Sequence, residues 1–431
     1  MSGKAILFLV MGFSLIFLVL GQNFGKLSTE GITNSNNYYF NSISHDLAES
    51  GANLAASKIF FDPTWTTGYN NVDFNGGTYS VNVQVLNAAS NIRRINSTGI
   101  YEGDTSIVQI TLAPGSFAQY AYFSEIEPSG IWWTDGDTVW GKFHTQDYLR
   151  SAGHPVFMDK ATSRKGIVYY NNQKSDSPIF MGGYGQADHV IPSTSVSELE
   201  NTANSGGHTF MGNDTVSLVF IGDSIRYTTA TNTTTGSGKH KTTTTTRVTQ
   251  TVLASTFAPN GVIFADNAVL RIQGTVTGQY TVGASGTGYV DNSGYGHGTG
   301  NIYLDGDITY NANPKTDPHS TDLFGIVAEQ NVLITDNTAN STGGGINIDG
   351  AVFCQDGGFG SENYAHRPAG GSINLDGGIT EHQRLAVGTF SYGGTIASGY
   401  NKRYYFDNRL KNVSPPSFPT TGKFIILSWY E

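Results

Sequence analysis

Cysteine is almost absent from this sequence: Cys354 is the only one in 431 residues. No intramolecular disulfide can form, and no Cys-based metal spacing exists. A chain of this size needs no disulfide staples, so the lack is compatible with export. Charge is scarce as well. Acidic and basic residues together make up 13% of the chain, and their balance leaves a formal net charge of -10. A nucleic-acid partner is therefore not expected, because phosphate binding needs clustered Lys and Arg. The one basic cluster, Lys239-His240-Lys241, lies in a Thr-rich stretch and reads as a solvated tip. The ten histidines are scattered. HExxH, GxSxG, Walker and dinucleotide-binding patterns are all missing. Strings such as Gly283-Ala-Ser-Gly-Thr-Gly read as loops, with no helix start to hold a phosphate. Proline does not occur before Pro63.

What is abundant is glycine, at 54 residues, and aromatics, at 12%. With the many Asn, Thr and Tyr residues this favours β-structure with tight turns. The N-terminus is the exception. Ala5 to Leu20 is apolar apart from Gly12 and Ser14, and residues 5–24 reach the length that spans a bilayer. Lys4 precedes the stretch, which predicts a single pass with the N-terminus cytoplasmic and the rest exported. A cleaved signal peptide ending near Gly21 is the competing reading. Beyond Gln22, Tyr39, Ile43, Leu47, Gly51 and Leu54 recur at helical spacing, and Ala48, Ala52, Ala55 and Ala56 add helix propensity. The spacing predicts one helix over residues 1–60, greasy first and amphipathic later. Gly31 to Asn37, rich in Asn and Gly, is the stretch that could break or melt it.

That arrangement, with His45-Asp-Leu-Ala-Glu-Ser-Gly-Ala-Asn-Leu-Ala, resembles type IV pilins and pseudopilins, in particular PilX-like minor pilins. The resemblance implies a helix that anchors the subunit in the bacterial inner membrane and packs against other pilin or pseudopilin subunits. The sequence departs from the prepilin pattern: Gly3 is followed by Lys4, and Phe8 stands where Glu is usual.

From Gly76 the period becomes two. Thr78 to Val85, Arg93 to Gly99 and Ser106 to Leu112 predict a three-stranded meander, giving a small head over 61–118. The rest, 119–431, is repetitive. Leu270-Arg-Ile-Gln-Gly-Thr-Val, Ile302-Tyr-Leu-Asp-Gly-Asp-Ile, Ile346-Asn-Ile-Asp-Gly-Ala-Val and Ile373-Asn-Leu-Asp-Gly-Gly-Ile share one pattern. A strand, a glycine bend and a second short strand is what one coil of a right-handed parallel β-helix needs, so Gly274, Gly306, Gly350 and Gly377 are expected at φ > 0. A twisted β-sandwich with Gly-rich loops is the alternative. Within this body, 225–252 reads as a Thr-rich hairpin or as a linker. The phrases Gly141 to Phe157, Leu323 to Ile334, Tyr404 to Leu410 and Pro415 to Pro419 resemble segments of an uncharacterised bacterial envelope family with a PilX-like N-terminus and a β-helix-like body. The fold class expected is thus mainly β, behind a long N-terminal helix.

Carboxylates are the only plausible chemistry. Asp135 and Asp137, and Asp305 and Asp307, have calcium-like spacing, but Asp-Gly turn chemistry is the favoured reading at each pair. Asp305, Asp349 and Asp376 hold equivalent repeat positions and would form a ladder on one face. Trp132, Trp133 and Trp140 are either stacking platforms for surface glycans or covers for an open solenoid end. No catalytic, cofactor or metal residue is assigned. The expectation is a membrane-anchored surface protein, filament-associated subunit or adhesin, and not an enzyme. The alternative is a secreted β-helix polysaccharide lyase or hydrolase.

Overall fold

The computed structural model describes residues 3–87, 91–189, 196–236, 240–340, 343–391 and 394–431. The chain forms two compact units, residues 1–113 with 424–431, and residues 114–423.

The first unit is built on one helix, α1, Gly3–Phe61. It runs unbroken through Gly31 to Asn37, as the single-helix reading expects. Single Gly and Asn residues cost about 1 kcal/mol or less each in a helix, too little to interrupt it without a proline. At ~1.5 Å per residue α1 is about 90 Å long. Apolar side chains from Ile6 to Leu20 are exposed, and the helix is long and apolar enough to cross a membrane.

Its last third packs against a sheet ordered β1 (Tyr69–Phe74), β2 (Gly77–Asn87), β3 (Ile92–Tyr101), β4 (Asp104–Ser116) and the C-terminal strand Thr420–Tyr430. β1 to β4 are antiparallel neighbours. The expected meander is β2, β3 and β4. The sequence reading had run the body through to residue 431, whereas the last strand closes this sheet. The helix face it covers is Ser44, Leu47, Ala48, Gly51, Ala52, Ala55 and Ile59. Tyr39 and Leu54, expected on that face, are exposed. The reason is closeness. A Cβ on Gly99 would lie 2.1 Å from the Ser44 carbonyl oxygen, and one on Gly51 would lie 2.6 Å from Ser97 Oγ. Only small residues let helix and strand approach so far.

The second unit is a stack of parallel strands, where a sandwich would pair most neighbours antiparallel. One ladder runs through Thr215–Gly222, Val269–Val276, Ile302–Tyr310, Ile346–Cys354, Gly371–Gln383, Ile396–Phe406, Thr138–Trp140, Val156–Phe157 and Ile179–Phe180. A second runs through His208–Phe210, Val262–Ala265, Gln279–Ala284, Leu323–Ala328, the later halves of Ile346–Cys354 and Gly371–Gln383, then Tyr122–Ile126, Phe143–Thr145, Ala161–Ser163 and Tyr184–Gln186. Shorter parallel pairs make further ladders, such as Val332–Ile334 on Phe359–Ser361 and Tyr148–Ala152 on Gly166–Tyr169. The order of the stack is not that of the sequence. Tyr122–Ile126 enters in the middle, between Gly371–Gln383 and Phe143–Thr145. Strands after it build one end, and the chain then returns to the other end at His208.

Val, Ile, Leu and Phe side chains fill the interior. A second apolar layer lies outside the second ladder. There Val196, Leu199 and Ala203 of the helix Val196–Gly206 join a cluster with Phe264, Phe353, Leu410 and Phe418. The Thr-rich segment is a hairpin of Ser224–Thr235 and Thr242–Leu253, paired antiparallel along its length. Its tip, 237–239, where Lys239 was placed, lies outside the described residues.

Candidate functional site

Gly350 and Gly377 sit where their strands pass from the first ladder to the second, with φ of 152° and 158°. Gly274 also has positive φ, 113°, but Gly306 does not. In-register pairing aligns Asp349 with Asp376, Asp376 with Tyr405, and Tyr405 with Trp140. Side chains at paired positions of a parallel ladder point the same way, so these four form one row. Asp305 does not join it. A register shift between Ile272 and Gly274 leaves Asp305 off the ladder, and Arg271 holds it bidentately at 2.9 and 2.6 Å. The expected ladder of three aspartates is therefore a pair.

The row leads into a groove of about 730 Å³ lined by Trp140, Met158, Lys315, Asp376, Tyr405 and Arg409, among others. Trp140 and Tyr405 are stacked, with centroids 4.0 Å apart and planes 11° apart. Lys315 Nζ lies 4.2 Å from the Tyr405 ring centroid and 3.5 Å from Asp376 Oδ2. The second contact is within ion-pair range but lacks hydrogen-bond geometry, so Oδ2 is buried without a donor. Burial raises the pKa of Asp376. Burial also pushes Asp349 up to about 6, against the pull of the Tyr310 N–H and with Asp376 adding to the rise. Asp349 Oδ2 accepts from Tyr310 N at 2.9 Å, and Asp349 does not line the groove. Asp407 is fastened to Arg409 by a 2.6 Å contact from Nη2.

The other expected residues are spoken for. Asp137 accepts from Thr134 N and holds Lys402 Nζ at 2.5 Å. Asp135 Oδ1 accepts from His154 N, and Asp307 holds Asn347. Among the described residues no group of three or more His, Cys, Asp or Glu is placed to hold a metal ion. The three tryptophans separate: Trp133 is in the core, Trp140 is in the groove, and Trp132 lies in another cleft with Phe390 and Ile131. Cys354 is buried.

One more titratable cluster is sealed inside, beside the strand Tyr122–Ile126. Arg384 Nη1 donates to Glu127 Oε2 at 2.8 Å and the guanidinium lies 4.0 Å over Trp133. Tyr122 Oη lies 2.8 Å from Glu127 Oε1 and 2.7 Å from Glu381 Oε1. A phenol has one proton to give, so one carboxyl must bring its own. Burial pushes Glu381 up to about 8. Glu381 O–H therefore donates to Tyr122 Oη, whose proton goes to Glu127. With Glu381 neutral, Glu127 and Asp137 balance Arg384 and Lys402. Sequence reasoning singles out only Asp137 and Trp133 of this cluster, because its two halves, Tyr122 to Asp137 and Glu381 to Lys402, lie far apart in the chain and outside the repeat phrases.

No protein-family profile matches the chain, and no curated protein matches it. Among solved structures, the competence-associated pilin ComZ from Thermus thermophilus is similar at a TM-score of 0.38 and 11% identity, covering 91% of this chain and 97% of that one. So slight a likeness carries no argument here.

Proposed function

We propose that the chain is a pilin-like, membrane-anchored protein of the bacterial cell envelope that carries a β-solenoid body and serves as a filament-associated subunit or adhesin. The observation behind this is α1. One helix is exposed and apolar over Ile6 to Leu20 and buried against a sheet from Ser44 to Ile59. The apolar stretch continues without a break into the segment that packs on the head sheet, which favours a retained anchor over a leader cleaved near Gly21. The PilX-like reading of the N-terminus belongs to this proposal, as does the reading of the parallel stack as a right-handed β-helix, the hand favoured for connections between parallel strands. The body is inserted between β4 and the C-terminal strand, which are neighbours in the head sheet.

The aligned Asp349 and Asp376 favour weighing a glycan-cleaving enzyme, since retaining glycosidases use two carboxylates about 5–5.5 Å apart. Only Asp376 opens to the groove, and the pair is not available to flank a bond. The proposal is therefore a protein that acts by anchoring and binding, without catalysis.

The test is fractionation of the native protein with N-terminal sequencing. The expected result is material in the membrane pellet after alkaline wash, beginning at or before Lys4, with the body open to protease in spheroplasts. Soluble protein beginning near Gln22 would sink the anchor.

A further inference from the structure

We propose that the groove beside Trp140 and Asp376 binds a neutral polysaccharide chain, its pyranose faces against the aromatic row and a hydroxyl donating to Asp376. This gives the adhesin half of the reading above a ligand class; it rests on that half and not on the anchor.

The volume, about 730 Å³, falls within the ~300–1,000 Å³ of small-ligand sites. Its walls combine two kinds of surface. Trp140, Met158, Tyr405 and Phe406 offer apolar area. Trp140 ends the aromatic stack, because the next strand of the ladder, Val156–Phe157, pairs only as far as Val139. Flat C–H faces of a sugar ring suit such a platform. At the base, Asp376 Oδ2 is an acceptor without a hydrogen-bond donor, on a side chain 5% exposed. Lys315 Nζ, 3.5 Å away, offsets its charge but leaves Oδ2 without a well-formed hydrogen bond, and a sugar hydroxyl supplies one.

Charge selects against other ligands. Asp407 and Arg409 satisfy each other, and Lys315 faces Asp376. Asp159 is left over on the rim. The groove therefore presents no surplus cation for a uronate, phosphate or sulfate.

The experiment is isothermal titration of the full-length protein in detergent with maltohexaose, cellohexaose and chitohexaose, and with hexagalacturonate as the anionic control. At least one neutral hexasaccharide should bind with a Kd below about 1 mM. Trp140→Ala should weaken it about tenfold, and Asp376→Asn at least threefold, with Trp132→Ala unchanged. Melting curves check that the variants fold, and Asp376→Asn carries the test if Trp140→Ala does not. Four results overturn the proposal: no saturable binding of any neutral probe, equal binding by both groove variants, preference for hexagalacturonate, or shortening of the bound chain. Each is read from solubilised protein, so none bears on whether the helix anchors in a membrane.

Discussion

In the head, residues 1–113 with 424–431, helix and sheet meet through glycine, alanine and serine, and tolerance is limited by backbone distance. In the body, 114–423, the interior is broad enough to seal a charged network among Phe and Trp rings. Among the described residues the head buries one cation, Arg93. Arg93 bonds the carbonyls of Trp65, at 2.8 Å, and Pro63. The body instead holds Glu127, Asp137, Glu381, Arg384 and Lys402 in one cluster. The lesson is that a parallel stack can enclose ionic groups where two distant stretches of chain are joined. The helix-on-sheet head, among its described residues, buries Arg93 against backbone carbonyls and no carboxylate.

The largest effect should come from breaking that cluster. Arg384→Met leaves Glu127 buried without its cation, which costs about 3–5 kcal/mol. Glu381→Gln should behave differently, since its amide can donate to Tyr122 and its oxygen can accept from Phe359 N, as the neutral acid does. Its signature is in the pH dependence. Folded Glu381 keeps its proton up to about pH 8, while an unfolded Glu loses it near 4.5. The folded state binds more protons across that window, so the body loses stability as pH rises from 4.5 to 8. Denaturant melts of wild type and Glu381→Gln should diverge upward through this range, the variant losing less stability, since the raised Asp349 and Asp376 titrate in both. Parallel curves would mean that Glu381 is ionised in the fold and that the proton assignment is wrong.

A smaller effect separates the two units. A Cβ on Gly377 would lie 1.9 Å from the Gly350 carbonyl oxygen, and one on Gly99 would lie 2.1 Å from that of Ser44. Both neighbours are backbone and cannot swing away. Each Gly→Ala change should cost about 3 kcal/mol. In calorimetry Gly99→Ala should lower the head transition alone, and Gly377→Ala the body transition alone. A shift of both by either variant would show that the units do not melt separately.

These glycines also mark what was legible in the sequence. The period of two in Thr78 to Leu112 announced β2, β3 and β4, and the Asp-Gly phrases announced corners at Gly350 and Gly377. Gly306 carried the same phrase but lies where the register shifts, and this displaced Asp305 from the row. The helix face was legible in part: Leu47 and Gly51 are buried as their spacing predicts, with Ala48 between them, whereas Tyr39 and Leu54 are exposed because close packing selects Ser44, Ala48 and Ala52. Lys315 and Arg409 reach the groove from outside the strands, where no repeat could point to them. The entry of Tyr122–Ile126 into the middle of the stack was illegible too, because a five-residue strand carries no information about its partners.

The smallest effect concerns the Thr-rich hairpin, whose outer half leaves the stack. Ser224 to Ala230 pair on both sides, with Thr215–Gly222 and with the returning arm. Thr231 to Thr235 have Thr242 to Thr246 as their one strand partner, with Asn213 and Asp214 bonding Thr231 and Asn232 at the base of the free half. Their side chains meet as exposed Thr pairs, such as Thr234 with Thr243 at 3.0 Å. An exposed cross-strand pair contributes about 0.2–1 kcal/mol, and an isolated two-stranded ribbon is marginal in water. The outer half should therefore open locally, without the body following. Amides of 231–235 and 242–246 should exchange with solvent far faster than those of 224–230. Replacing Thr234 and Thr243 together by Ala should shift the body's midpoint by less than about 0.5 kcal/mol. Equal protection along the whole arm would mean that something covers the outer half, and that this ribbon belongs to an interface instead of to solvent.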